Sequence, residues 1–268
     1  VILDTQRSWK CDDLEFLERW RERTGDRYPP SPLAFRTSIV NPDELQRQRA
    51  QARERMRAFP DPVLDQVIDS IARPDIRVTA RALGPDPLDT SRCVRILATR
   101  RGGDGYIVTQ QLGQSVWHAT GYTISEFPAT ALADVLVGHL PKVAPGRRGE
   151  VDLSPVVSPD DVDHSHHRPV ATGSADDYDS DLDRARALVD APTDSRGVIE
   201  IEQGASKFGP RGLLRLRLGW RDLTDDGRYA LLDGNPPLAV GVDAARLTAL
   251  INARIITVIE TIKDENHA

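Results

Sequence analysis

Two stretches of this 268-residue chain carry the same succession of hydrophobic patterns. Residues 61–140 read as a helix, four strands and a helix, and residues 178–262 repeat that order. The offset of about 120 residues is far longer than the period of a solenoid or propeller. In the first stretch a helical pattern over 64–72 halts at Pro74. Strand patterns follow over 76–83, 93–100, 105–112 and 115–122, and a helical pattern over 125–140. In the second, a helical pattern over 182–190 halts at Pro192. Strands follow over 198–203, 213–221, 227–232 and 238–242, and a helix over 244–262. The middle hairpin carries the same signal in both, Asp104-Gly105 before Tyr106 and Asp226-Gly227 before Tyr229, because Asp-Gly favours tight turns between strands. In Leu214-Arg215-Leu216-Arg217-Leu218 apolar and charged residues alternate, as they do in Val198-Ile199-Glu200-Ile201-Glu202 and Cys93-Val94-Arg95-Ile96. Alternation of this kind predicts antiparallel strands with one buried and one wet face. The expected fold class is α+β: a central antiparallel β-sheet with flanking helices and a pseudo-two-fold internal duplication. Such a scaffold has two related faces and no single catalytic crevice.

The segment before the first repeat has its own punctuation. Ser8-Trp9-Lys10 reads as extended. A helix follows from Asp12, whose acidic start suits the helix dipole, and ends at Gly25. Pro29-Pro30-Ser31-Pro32 forbids helix. Asn41-Pro42 caps a second, mostly solvated helix reaching Met56, and Asp61-Pro62 opens the third. Between the repeats, the proline-rich segment 141–177 reads as a long surface connection, and 263–268 as a frayed tail.

Composition excludes several classes. A net charge of -6 lacks the basic excess of a nucleic-acid protein. The 2 cysteines, Cys11 and Cys93, fit neither a disulfide framework nor a metal-ligand spacing. No apolar run is long enough to span a membrane. Val1-Ile2-Leu3 is followed at once by Asp4 and Arg7, unlike a signal peptide, and the absence of an opening Met points to a trimmed start.

The search for chemistry returns little. His164, His166 and His167 beside Asp160, Asp161 and Asp163 have metal-binding side chains, the basis of an alternative reading as a metal-dependent enzyme, although a solvated loop fits them better. Asp177, Asp179 and Asp181 alternate like a calcium loop, but Leu182 and Leu188 occupy the Gly and Glu positions. In 204–209, Pro210 and Arg211 replace the Lys and Ser/Thr of a phosphate loop, which leaves Phe208 tucked in or offered to a partner. His118 lies on a strand pattern next to Trp117, and no serine or cysteine nucleophile motif accompanies it. Arg215 and Arg217 suit an anion or a wet sheet face. The loop 84–92 exposes one aliphatic side chain, Leu88; a recognition loop and an ordinary turn both fit it. No metal or cofactor site, and no catalytic set, is expected.

Four motifs resemble the EspG family, the cytosolic chaperones of actinobacterial type VII (ESX) secretion. Ser8-Trp9-Lys10-Cys11-Asp12-Asp13-Leu14 is similar to the family's opening strand and acidic-leucine helix. Ala72-Arg73-Pro74-Asp75 is similar to its helix-to-strand junction, Phe208-Gly209 to its Phe-Gly loop, and Asp226-Gly227-Arg228-Tyr229 to its Gly-Arg-Tyr strand opening. The resemblance covers almost all of the chain outside 141–174. It implies one EspG-like domain over 1–268, with helical bundles flanking the sheet. It implies a cytoplasmic protein, monomeric or weakly dimeric, that binds PE–PPE heterodimers at the PPE tip, with neither nucleic acid nor membrane insertion. It places the contact on the loop between the second and third strands, part of the sheet and the carboxy-terminal helices. The expected partner-binding residues are Pro87, Leu88, Asp89, Arg92 and Phe208. A generic protein-binding adaptor is the remaining alternative.

Overall fold

The computed structural model describes residues 7–86, 88–154, 156 and 175–267, with the backbone alone for 175–179. The chain enters as strand β1 (Arg7–Asp12) and turns directly into helix α1 (Asp13–Thr24). The Asp12 carboxylate accepts the Glu15 amide at the helix start, and Gly25 ends the helix at φ 81, a left-handed conformation that favours glycine. Helix α2 (Pro42–Ala58) starts from an Asn41 cap with proline in its first turn, and α3 (Pro62–Ala72) from Asp61.

Four strands follow as a meander: β2 (Ile76–Leu83), β3 (Val94–Arg101), β4 (Asp104–Leu112) and β5 (Ala119–Pro128). A short helix α4 (Leu132–Gly138), strand β6 (Glu150–Asp152) and helix α5 (Ala175–Val189) come next. The second meander is β7 (Thr193–Gln203), β8 (Arg215–Leu223), β9 (Gly227–Leu232) and β10 (Leu238–Gly241), closed by helix α6 (Ala244–His267). All ten strands join one sheet in the order β1-β5-β4-β3-β2-β7-β8-β9-β10-β6, every neighbouring pair antiparallel. The fold is α+β, as the alternation predicts. The meanders meet at β2 and β7 and run outward from there.

Register explains where the helices sit. On one face Ile76, Val78, Ala80, Ile199, Ile201, Leu218 and Trp220 pack against Leu136 of α4 and Leu247, Ile251, Ile255 and Val258 of α6. The opposite face has two separate cores. Phe16, Trp20, Leu64 and Ile68 of α1 and α3 cover Leu97, Val108, Tyr122 and Ile124. Ala185 and Leu188 of α5 cover Val151, Tyr229 and Ala239 at the other end. Between these cores lies a strip of β2, β7 and β8 on which Arg81, Leu83, Arg196, Arg215 and Arg217 are exposed. Among the described residues no helix covers it.

Several expectations change. The strand expected over 115–122 runs instead over β5 to Pro128, because it is held between β4 and β1 with Trp9 opposite Ile124. The helix expected over 125–140 shrinks to α4, and His118 belongs to a turn, where Ser115 Oγ meets its Nδ1 at 2.7 Å. The first middle turn is Gly102-Gly103, with Arg101 opposite Asp104 in the ladder. The connection 141–177 contributes β6 to the sheet edge and the start of α5. The tail continues α6 to His267.

Helix α2 is held to α1 by charge. The Glu18 carboxylate, 4% exposed, receives Arg49 Nε at 2.5 Å and Arg53 Nη1 at 2.6 Å. Burial opposes its ionisation, but the hydrogen bonds and charges of Arg53 and Arg49 outweigh this and hold its pKa below the usual glutamate value. A lowered folded pKa contributes stability above the unfolded value of about 4.3 and loses it as pH falls through the folded one. Glu18→Gln is expected to cost about 1–3 kcal/mol at neutral pH and to remove part of the acid sensitivity. Urea melts of both proteins across the acid range measure this.

Candidate partner-binding surface

The loop 84–93 rises where β2 ends and β3 begins, and short polar side chains fold it. Asp86 Oδ1 accepts the Leu88 amide at 2.8 Å, Asp89 Oδ1 accepts the Ser91 amide at 2.9 Å, and Cys93 N donates to Thr90 O. These bonds to Ser91 hold the Asp89 carboxyl below its ordinary range. Gly84 is closely packed, since a Cβ there would lie 3.0 Å from Arg92 Cβ. The base is tied to β7, where Ser195 Oγ donates to Arg92 O and Arg92 Nη1 sits 3.6 Å from Asp194. Both partners of that ion pair are substantially exposed, so it contributes little. Leu88 stands out of the loop, 75% exposed. Leu88, Asp89 and Arg92 therefore share one loop, and Pro87 lies outside the described residues.

Beneath the loop, on the uncovered strip, the sheet opens into a cleft of about 540 Å³. Leu83, Val94, Val198, Trp117 and the proline-rich segment 29–34 line it together with Arg81, Arg95 and Arg196. That segment is fastened as a wall: Tyr122 donates its hydroxyl to Ala34 O at 2.7 Å, Ala34 N donates to Gln110 Oε1 at 2.8 Å, and Arg95 Nη1 donates to Pro32 O. The Arg95 guanidinium also stacks on Trp117, 4.6 Å from the ring centroid. Leu83 and Trp117 remain about half exposed. The loop springs from Leu83 and Val94, which line the cleft, and the cleft sets apolar side chains amid positive charge.

Phe208 is elsewhere. In the β2·β7 register Leu83 faces Arg196 while Ile76 faces Gln203. The β7–β8 loop therefore leaves the sheet about 23 Å from the end that carries Leu88, at ~3.3 Å per strand residue. Phe208 is 67% exposed there. Glu265 of α6 holds its loop by accepting Ser206 Oγ and Lys207 N. Gly204 N donates to Asp75 O, and a Cβ on Gly204 would lie 1.7 Å from Pro74 O, so the start of the β7–β8 loop packs on the Arg-Pro-Asp junction. The structure brings Leu88, Asp89 and Arg92 together and leaves Phe208 at the opposite end.

The other candidates resolve by geometry. Arg217 and Arg215 pair with Glu200 at 2.7 Å and Glu202 at 3.2 Å across the β7·β8 ladder, which is the wet face the alternation implies. Burial pushes the Cys11 thiol up to about 12, with Glu15 adding to the shift; Cys11 and Cys93 are both free. His164, His166 and His167 lie outside the described residues, as do the side chains of Asp177 and Asp179. Among the described residues no group of His, Cys, Asp and Glu is placed to hold a metal ion, and no helix is long and apolar enough to cross a membrane.

The EspG family model matches residues 13–253. The chain belongs to the EspG family. No curated protein matches its sequence. Membership makes it a protein associated with type VII secretion, and the match runs from α1 well into α6, so it takes in both meanders. In this EspG-family chain the Gly-Arg-Tyr opening is a structural device. Gly227 lets Ala144 O approach to 2.5 Å of where a Cβ would stand, Arg228 is buried on Asp222, and the Tyr229 hydroxyl donates to Asp226. Sequence reasoning missed Leu83, Trp117 and the Arg81–Arg95–Arg196 group. The only local signal for them was an arginine at outward positions of β2, β3 and β7; their convergence needs the long-range register.

Proposed function

We propose that this chain is a cytoplasmic, non-enzymatic chaperone that binds PE–PPE heterodimers at the PPE tip, keeps them soluble and delivers them to a type VII (ESX) secretion system. The observation that carries this reading is an uncovered strip of sheet in an EspG-family protein, with exposed Leu83 and Trp117 lining its charged cleft and exposed Leu88 in the loop that leaves the strip after Leu83. Exposed apolar anchors rimmed by charge are what a protein-binding surface needs. We read 1–268 as one domain, with its pseudo-repeats on either side of that strip. The outer strands favour a monomer or weak homodimer: β6 has three residues, and β1 carries Arg7 and Lys10.

Co-expression with a PE–PPE pair encoded beside it, followed by size-exclusion chromatography, tests the function. A stable complex is expected, and failure with every neighbouring pair would count decisively against it. Phe208→Ser separates the two ends of the sheet. With the partner seated at loop 84–93, it is expected to leave the affinity within about twofold, since residues outside the buried patch are close to neutral. A large loss would move the contact to the β7–β8 loop.

A further inference from the structure

Four arginines cross the sheet in a row on the face opposite α4 and α6. Arg95 of β3 is directly opposite Arg81 of β2, Val198 is opposite Arg81 on β7, and Arg196, two residues before it, is opposite Arg221 of β8. Like charges facing each other on adjacent strands are destabilising. Elsewhere on the same strip such charge is cancelled, since Arg217 and Arg215 have Glu200 and Glu202 across the ladder. Among the described residues none of the four has a carboxylate at ion-pair distance.

The two outer members are occupied. Arg221 is buried and donates to Leu188 O, Val189 O and Thr193 Oγ1 at the end of α5, with Asp190 the acidic group it senses. Arg95 is held by Pro32 O and the Trp117 ring, and its buried Nε lacks a hydrogen-bond partner. Burial and the neighbouring Arg81 charge both disfavour its protonated form. Arg81 and Arg196 are exposed, line the cleft, and have no hydrogen-bond or ion-pair partner among the described residues.

We infer that the cleft is completed by a carboxylate side chain of the bound protein, an Asp or Glu carried next to an apolar residue. The inference rests on the partner-binding reading above and names the chemistry of that partner. The carboxylate sits between Arg81 and Arg196, where planar guanidinium groups match its geometry. The adjoining apolar side chain lies against Leu83 and Val198. Specificity follows, because an amide or a lysine at that place leaves the arginine row uncompensated in a partly desolvated site.

The experiment measures the affinity of the full chain for a PE–PPE pair encoded beside it, with Arg81→Gln/Arg196→Gln as the variant. Both positions are exposed, and circular-dichroism melts verify folding. The expected result is an affinity about tenfold weaker, with a shallower dependence on salt. In the charge swap, Arg81→Glu is rescued by one Asp→Arg or Glu→Arg change at the PPE tip. Unchanged affinity in the double variant, while Leu88→Asp abolishes binding, overturns the carboxylate and leaves the function standing. If the unmodified chain binds no pair, the function fails, and a second probe decides the inference. Acetyl-Leu-Glu-Leu-amide and its Gln counterpart are titrated into isotope-labelled full chain while the Trp117 indole resonance is followed. A shift with the Glu peptide alone supports the carboxylate site; equal shifts, or none, overturn it.

Discussion

Asp222→Ala is expected to lower the unfolding free energy by about 3–5 kcal/mol, because it strands a buried guanidinium. Arg228 donates Nε to Asp222 Oδ1 at 2.6 Å and Nη2 to Oδ2 at 2.8 Å, and both side chains are 5% exposed. The guanidinium also lies 5.9 Å from the centroid of Trp220, itself in the main core. The backbone around Arg228 anchors the chain that returns to the sheet: its amide donates to Ala144 O, and its carbonyl accepts from Gly146 N and Val242 N. Disturbance at Arg228 is therefore felt in β9, in the segment 144–146 and at the entry to α6. The pair need not be stabilising as such, since two charges were desolvated to make it. Asp222→Leu combined with Arg228→Met should recover most of the loss by removing both charges together. Urea melts of the two variants measure the effect. A loss below about 1 kcal/mol for Asp222→Ala would show that water reaches Arg228, contrary to its burial.

Leu88→Asp is the second large effect, and it falls on binding. Leu88 is 75% exposed, and its loop is shaped by Asp86 and Asp89, so the substitution should leave the melting of the isolated chain unchanged. In a complex that buries it, a leucine contributes roughly 1.5–3 kcal/mol, and an aspartate instead brings a charge to desolvate. The expected loss of affinity is on the order of tenfold to a hundredfold. Calorimetric titration with the PE–PPE pair measures it, and an unchanged affinity would remove the loop from the contact.

Much of the fold was legible. Strand β2 matches its predicted span because Ile76, Val78, Ala80 and Ala82 point to one buried face and Pro74 stops the preceding helix. Helix α1 was announced by Asp12 and Gly25, which act at its two ends. Errors arose where a segment takes its state from a distant partner. Residues 125–128 read as helical but are strand, because β4 pairs with all four and β1 pairs with Ser125 and Glu126 from more than a hundred positions away. Strand β6 has three residues and no readable alternation, and it exists because the edge of β10 needs a neighbour. The last residues of α6 look like a polar tail, yet Glu265 there fastens the Phe208 loop. Of the candidate site, Leu88 was readable as a lone aliphatic residue in a loop rich in turn formers. Its separation from Phe208 was not, since that depends on the pairing of β2 with β7.

Local periodicity was enough to establish the class of the fold, the order of its elements and the outward-facing arginines, because the alternation of a strand depends on residues two apart. It could not say which strands pair. The tertiary structure decided that β2 and β7 meet antiparallel at the centre of the sheet. That one pairing sends the β2–β3 and β7–β8 loops to opposite ends, separating Leu88 from Phe208. It also lines up Arg95, Arg81, Arg196 and Arg221 from four strands into one row. Such a row depends on long-range register, so it has no signature in any single stretch of the sequence.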